Sequence, residues 1–148
     1  MPELTPAMLA DILGTVLEET AFMMVEPAEV PAAWEGPTLR STLDFESVRS
    51  GRLRLTLDEP AGVELASSML GTDPSDPVAQ QNGRAAVSEV LNVVGGVFLT
   101  RFFGSKVPSQ LGLPQTGQAE GAPPAPATCA AAIRTESGHA MVLELDLE

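Results

Sequence analysis

The chain has 148 residues, 44% of them hydrophobic, with a mean hydropathy of +0.12. This length and apolar content suit one folded unit with its own core, so we expect residues 1–148 to form a single domain. Twenty acidic against eight basic residues give a formal charge of −12. That charge repels nucleic acid and anionic membranes; it suits an acidic soluble surface, or a partner with a basic rim.

The N-terminal residues and the single Cys and His indicate where the protein is located and which catalytic groups it has. The start Met1-Pro2-Glu3-Leu4 lacks the basic and apolar regions of a signal peptide, and no uncharged apolar run reaches the ~20 residues of a membrane span. We therefore expect a cytoplasmic protein. Cys129 and His139 are the only residues of their types. We interpret Cys129, in a run of small residues, as a buried, inert thiol rather than half of a catalytic Cys–His pair.

The first predicted element is an amphipathic helix that begins at Thr5-Pro6, an N-cap followed by proline, and ends near Met24. The proline-rich stretch 26–37 is expected to be an irregular connection, with Trp34 folded back onto apolar surface. Two strands, 39–45 and 52–57, then alternate apolar and polar residues and form a hairpin.

The middle of the chain is predicted to be helical. A short helix begins at Pro60 and stops at Gly71. Because Asn82-Gly83 interrupts the next pattern, the following helix begins either at Asp76 with a weak point or afresh near Arg84, and it continues to Phe103. Its broad apolar side is expected to pack on the core and consists of Val87, Val90, Leu91, Val93, Val94, Val97 and Phe98.

The last part of the chain is predicted to hold a flexible Gly/Pro/Ala-rich connection, 117–126, and two strands, 127–134 and 140–147. Hairpins and strands with one apolar face favour antiparallel pairing. The sequence therefore predicts an α+β fold: a two-layer sandwich with a mainly antiparallel sheet and the helices packed on one face.

One stripe of the long helix carries the candidate site. Glu89 and Asn92 are three residues apart and share a helix face, and Ala85 and Gly96 lie on the same face before and after them. A carboxylate and a carboxamide thus stand between two residues with almost no side chain. Such a stripe allows another molecule to come close, although an ordinary solvated helix face has the same pattern.

The chemistry open to this pair is limited. An Asn amide donates and accepts hydrogen bonds at once, so Asn92 can orient a water molecule, and such positioning is the larger part of catalysis in phosphoryl transfer. Glu89 can accept a charged hydrogen bond from a Lys or Arg of a partner. One carboxylate and one carboxamide are too few ligands for a metal, so we expect this chain to bind no metal or cofactor.

The sequence also hints at an internal repeat. The run Val16–Ala21 can be aligned with Val87–Asn92, which matches Glu18 to Glu89 and places Ala21 where Asn92 stands. Each run lies in a helix that precedes a pair of strands. Chance similarity of two amphipathic helices explains the match equally well.

These features together resemble a known family. The Glu-x-x-Asn helix, the downstream Pro114 in Leu111-Gly112-Leu113-Pro114, the segment Glu18–Pro27 and the order of elements are similar to those of the CheC/CheX/FliY family of chemotaxis phosphatases. With one such motif rather than two, the chain most resembles the CheX-like members. The resemblance covers nearly the whole chain.

The resemblance implies an activity, a partner and an assembly. The activity is removal of the phosphoryl group from the aspartyl phosphate of a CheY-like response-regulator receiver domain. Asn92 would orient the attacking water and Glu89 would pair with the receiver's lysine, while Mg2+ would belong to the receiver. CheX-type proteins form homodimers with joined sheets, and the terminal strands would supply that edge.

The chain departs from the family pattern at one position. The family usually has Asp or Ser four residues before the Glu, where this chain has Ala85. The alternatives to a phosphatase are therefore a catalytically inactive module that only binds a receiver, and a structural component of a flagellar or signalling assembly.

Overall fold

The computed structural model describes residues 3–34, 36–120 and 127–148. Within these residues the elements follow in the order α1 (Pro6–Ala21), β1 (Val25–Ala28), β2 (Pro37–Glu46), β3 (Ser50–Asp58), α2 (Glu59–Leu70), α3 (Pro77–Gln81), α4 (Gly83–Phe103), β4 (Gln110–Leu111), β5 (Gln115–Glu120), β6 (Cys129–Thr135) and β7 (Ala140–Leu147).

The strands form one antiparallel sheet. Its order is β1-β6-β7-β3-β2, and β4 and β5 both pair with the outer side of β2. Leu53, Leu55 and Leu57 of β3 and the odd-numbered residues of β7 point towards the helices. All of them are fully buried except Leu147, which is partly buried. The predicted two-layer α+β fold with an antiparallel sheet is confirmed.

Local signals in the sequence explain where the helices begin and end. Thr5 caps α1 through a hydrogen bond from the Met8 amide, and Asp58 caps α2 through one from the Ala61 amide. Gly71 ends α2 in the left-handed conformation, with φ of 70°. The region around Asn82 contains two helices rather than one, because α3 ends at Gln81 and α4 begins at Gly83.

Two predicted connections are wrong in part, because each contains an edge strand. α1 ends at Ala21 rather than near Met24, since Phe22 adopts a left-handed conformation with φ of 55°. The chain then forms β1, which includes Pro27; proline is tolerated there because β1 pairs only with β6 and needs few backbone donors. Similarly, Gly117–Glu120 belongs to β5, and the rest of that predicted connection, 121–126, lies outside the described residues.

The predicted homodimer required the terminal strands to lie at the edges of the sheet, but they do not. β7 pairs with both β3 and β6, and β6 pairs with both β7 and β1. That part of the prediction is wrong, because the hairpin β6–β7 inserts between β1 and β3. In the described part of the chain the edges are formed by β1 on one side and by β4 and β5 on the other.

The topology supports an internal duplication, but not the alignment predicted for it. Each half consists of a long helix, an edge strand and a hairpin, and the edge strand of each half pairs with the hairpin of the other. An approximate two-fold axis therefore passes between β3 and β7. Ala21 is buried, however, whereas Asn92 is exposed, so these two residues do not occupy equivalent positions.

α4 is the central helix of the domain. It is the one helix in the described residues that is long and apolar enough to cross a membrane, but 56% of its apolar window is buried inside the domain. Its C-terminal end packs through an aromatic cluster in which the rings of Phe98 and Phe45 lie 5.6 Å apart and those of Phe98 and Phe102 lie 5.3 Å apart. This burial and packing are those of a core helix.

The sheet face opposite the helices is less open than the strand pattern predicts. Val142 and Glu144, both on that face, are fully buried. Arg54 forms an ion pair with Asp146, and its Nη2 lies 3.6 Å from Glu144 Oε2. Within the described residues neither oxygen of Glu144 has a hydrogen-bond partner, and burial raises the pKa of its carboxyl group although Arg54 and Arg40 partly oppose the rise.

The raised pKa of Glu144 predicts how pH affects stability. The folded state holds this proton more tightly than the unfolded state, so ionisation of Glu144 destabilises the fold as pH rises from about 4.5, the ordinary pKa, through the raised value. We expect the free energy of unfolding of Glu144→Gln, relative to the wild type, to increase over that window and then level off. Urea denaturation of both proteins between about pH 4 and pH 8 measures this, and a pH-independent difference would contradict it.

Candidate functional site

The polar stripe, defined as Ala85, Glu89, Asn92 and Gly96, lies on the outer surface of the helix layer. Ala85, Glu89 and Asn92 are exposed, and Gly96 is partly buried. The opposite side of α4 is buried as predicted. Five of its seven apolar residues are fully buried, namely Val87, Val90, Leu91, Val94 and Phe98, and the other two, Val93 and Val97, are partly buried. The helix thus separates its core side from its polar stripe.

The two polar side chains of the stripe are available to a partner. In the part of the chain that the structure describes, neither the Glu89 carboxylate nor the Asn92 carboxamide makes a hydrogen bond or ion pair. Their spacing of three residues places the two Cβ atoms about 5–6 Å apart. A partner can therefore contact a negative charge and a combined donor and acceptor at one place.

The residues on either side of Glu89 and Asn92 in the stripe have little or no side chain. A Cβ atom added at Gly96 would meet nothing within 4 Å, and the one methyl group of Ala85 is exposed. Glu89 and Asn92 therefore project beyond Ala85 and Gly96, so that the Asn92 amide can enter a recess in another protein. The site is a convex helix surface rather than a pocket.

Gly95 has the opposite role from Gly96. A Cβ atom at Gly95 would lie 2.5 Å from Leu43 Cδ2 and 3.0 Å from Leu111 Cδ2, both of which pack beneath the helix. The absence of a side chain lets the α4 backbone approach β2 and β4 closely. The sequence shows only a Gly-Gly pair, and nothing in it distinguishes the packed glycine from the open one.

A chain of hydroxyl groups connects α4 to the sheet next to the stripe. Ser88 hydrogen-bonds to Thr116 of β5, whose hydroxyl donates to Ser41 of β2 over 2.8 Å. Ser41 is fully buried at a strand position between Leu39 and Leu43. This contact was not predicted from the sequence, although a single polar residue among the core positions of an alternating strand indicates that its side chain has a buried partner.

The other candidate groups of the sequence do not form a second site. Cys129 is buried, which raises the pKa of its thiol, and it pairs with Leu145 about 17 Å along the strand from the turn that carries His139. His139 lies instead between Asp58 and Glu64, with its two nitrogens 3.4 and 3.6 Å from their oxygens. Among the described residues no three His, Cys, Asp or Glu side chains are placed to hold a metal ion.

The two adjacent glycines give a matched pair of variants. We expect Gly95→Ala to lower the free energy of unfolding by about 1–2 kcal/mol, because the new methyl group overpacks the interface with Leu43. Gly96→Ala should raise it by about 0.5–1 kcal/mol, because alanine favours the helix and the methyl group meets open space. Chemical denaturation measures both, and equal effects at the two positions would contradict the packing described here.

Comparison with known proteins gives matches in structure only. No family model matches the sequence, and no curated protein matches it significantly. Among solved structures, CheX from Vibrio vulnificus has a TM-score of 0.74 at 17% identity over 98% of each chain. CheX from Desulfovibrio desulfuricans has a TM-score of 0.73 at 19% identity over 95% of this chain and 96% of that one.

A third similar structure contains a partner. A chain of the CheX–CheY–BeF3–Mg2+ complex from Borrelia burgdorferi has a TM-score of 0.67 at 13% identity over 95% of each chain. At these identities the likeness establishes the fold. The protein therefore has the fold of the CheX and CheC proteins, and the resemblance found in its sequence is confirmed at that level.

Proposed function

We propose that this protein hydrolyses the aspartyl phosphate of a CheY-like response-regulator receiver domain. The observation that carries the proposal is the position of Asn92: its carboxamide is exposed beside Glu89, on a low helix stripe, in a chain with the CheX fold. An amide placed in this way can enter the active site of another protein. The receiver would supply the phosphoryl group and the Mg2+, and the present chain would supply the groups that speed hydrolysis.

Asn92 orients the attacking water. Hydrolysis of an acyl phosphate needs a water molecule in line with the bond that breaks, and the receiver alone holds that water poorly. The amide oxygen of Asn92 accepts a hydrogen bond from the water, while its NH2 group donates to an oxygen of the phosphoryl group or of the receiver. The water's oxygen bonds to phosphorus as the bond to the aspartate breaks, the aspartate leaves as a carboxylate, and the water's proton passes to the phosphate. The gain comes from orientation, because Asn cannot take up the proton.

Glu89 fixes the partner. Its carboxylate is one helical turn from Asn92 and has no competing partner in the described residues, so it is available to the receiver's active-site lysine. A charge pair across the interface sets the register of docking and adds affinity. Ala85 and Gly96 complete the docking surface because they leave room for the receiver on either side of the polar pair.

The similar structure with a bound partner supports the choice of substrate. CheX of Borrelia burgdorferi forms a complex with CheY, BeF3 and Mg2+, and BeF3 has the tetrahedral shape of a phosphoryl group when bound to a carboxylate. A chain of the same fold with an exposed carboxamide is suited to the same kind of partner. We infer a cytoplasmic location from this partner class.

Ala85 favours a second candidate function, a module that binds a receiver without hydrolysing its phosphate. Ala85 offers no hydrogen bond at a position where the family pattern has Asp or Ser. A protein that docks without orienting the water would leave the phosphate lifetime unchanged, or lengthen it by excluding solvent. The effect on that lifetime therefore separates the two functions.

The role of Asn92 predicts a specific loss of activity. The wild-type protein should speed loss of phosphate from a phosphorylated receiver with turnover, and Asn92→Ala should reduce the rate about 100-fold or more while leaving binding largely intact, since only the water loses its orienting group. Release of phosphate from a radiolabelled receiver measures the rate. A wild-type rate in the Asn92→Ala variant would refute the mechanism.

Glu89→Ala provides the contrast, because it should weaken binding of the receiver and raise KM more than it lowers kcat. Glu46→Ala removes the same charge from an exposed position on the far face of the sheet and is the matched control. Titration calorimetry measures the affinities. If Glu89→Ala and Glu46→Ala bound the receiver equally well, Glu89 would have no place in the interface.

We also propose that the protein forms a homodimer through β5. In the described part of the chain β5 is a six-residue strand paired on one side only, whereas the other edge strand, β1, is shorter and is interrupted by Pro27. Antiparallel pairing of two β5 edges would join the two sheets. Sedimentation equilibrium should give a mass of about twice 15.4 kDa, and a monomer at all concentrations would exclude this assembly.

A further inference from the structure

We propose that the hydroxyl chain formed by Ser88, Thr116 and Ser41 sets the rotation of α4 about its own axis, and thereby the direction in which Asn92 points. This inference rests on the proposed function and assigns three positioning residues to it. None of the three touches the reacting atoms. They act by fixing the helix that carries Asn92.

The chain of hydroxyls is next to Asn92 in the helix. Ser88 precedes Asn92 by four residues, so the two side chains lie one above the other on neighbouring turns. Gly95 follows Asn92 by three residues and lies on the same flank as Ser88, which faces β2, β4 and β5. Asn92 is therefore held between two points at which α4 contacts the sheet.

The two contacts constrain different motions of the helix. At Gly95 the backbone rests on Leu43 and Leu111, and this contact fixes how deep the helix lies. Apolar packing of the core side also opposes rotation, but it is non-directional. Hydrogen bonds are directional, so the bond from Ser88 to Thr116, continued from Thr116 to Ser41, opposes rotation of the helix.

The placement of Ser41 is difficult to explain by core stability alone. Ser41 is fully buried and occupies a position whose neighbours on the same strand face, Leu39 and Leu43, are apolar. A small apolar residue would fill this place without a hydroxyl group that needs a partner. The hydroxyl of Ser41 is useful because it anchors Thr116 to the centre of the sheet.

A small rotation is enough to matter for catalysis. The amide of Asn92 lies about 6 Å from the axis of α4, since the Cα radius is about 2.3 Å and the side chain extends outward. A rotation of about 10° then moves the amide by about 1 Å, and a misplacement of about 1 Å costs up to roughly 100-fold in rate. The same rotation moves the Glu89 carboxylate by a similar distance, but its ion pair with a flexible lysine tolerates that shift better than the in-line alignment of the water does.

The test is a kinetic comparison of conservative variants at position 116. Thr116→Val keeps the shape of the side chain and removes both hydrogen bonds, and we expect kcat for receiver dephosphorylation to fall about tenfold with KM changed by less than about twofold. Thr116→Ser keeps the hydroxyl and should retain the wild-type kcat. Thr42→Val is the matched control, because the Thr42 hydroxyl also bridges β2 and β5 but bonds to the Gln115 carbonyl at an exposed position.

The outcomes separate this proposal from the proposed function. If Asn92→Ala is inactive and Thr116→Val keeps the wild-type kcat, the positioning role is refuted and the phosphatase remains. If the wild type itself lacks activity, residual dipolar couplings of the α4 amides test the positioning role directly. An unchanged orientation of α4 in Thr116→Val refutes this role, and a rotated or disordered α4 supports it. Should Thr116→Val fail to fold, Ser88→Ala breaks the same chain at its helix end and is measured in the same way.

Discussion

The contact of α4 with the sheet at Gly95 is the constraint on which the rest of the structure depends. α4 buries a broad apolar side against β2 and β3, and at Gly95 its backbone comes so close that a methyl group would collide with Leu43. A helix held this firmly can carry polar groups on its other side without losing stability, because none of those groups is needed for the core. The core side thus makes the stripe with Glu89 and Asn92 possible.

The two-fold arrangement of the halves places α1 and α4 beside each other on the same sheet face. Each helix is followed by an edge strand that pairs with the hairpin of the other half. The two helices are joined by an ion pair between Asp11 of α1 and Arg101 of α4 at 2.5 Å, and Glu89 and Asn92 of α4 are exposed. The two long helices thus differ in one respect: α4 carries a Glu and an Asn on one face, whereas α1 contains no Asn.

Most of the fold could be predicted from the sequence, because local signals agree with the final packing. The capping residues Thr5 and Asp58, the stop at Gly71 and the alternation in β2, β3 and β7 are all visible in the amino acids. The edge strands β1 and β5 were missed, because Pro27 and the Gly/Pro/Ala-rich region indicate irregular structure unless their strand partners are known. The order of strands depends on long-range pairing, which no local pattern contains.

The candidate site was predictable for a different reason. Helical periodicity places Ala85, Glu89, Asn92 and Gly96 on the side opposite the core, so exposure of the pair follows from the sequence. The contacts that orient the helix did not follow from it. The bonds of the hydroxyl chain join residues 28 and 75 positions apart in the sequence, Ser88 to Thr116 and Thr116 to Ser41, and only the fold brings them together.

The convex shape of the stripe has a consequence for selectivity. A projecting amide encloses nothing, so the surface around Asn92, as far as the structure describes it, has no cavity in which a small acyl phosphate could be held and shielded from water. On the proposed mechanism, an enclosed site forms only when the receiver domain covers the helix. Small metabolites that contain an acyl phosphate would therefore not be hydrolysed, although no residue of this protein excludes them. Only a folded partner protein supplies the surfaces that would enclose the phosphate.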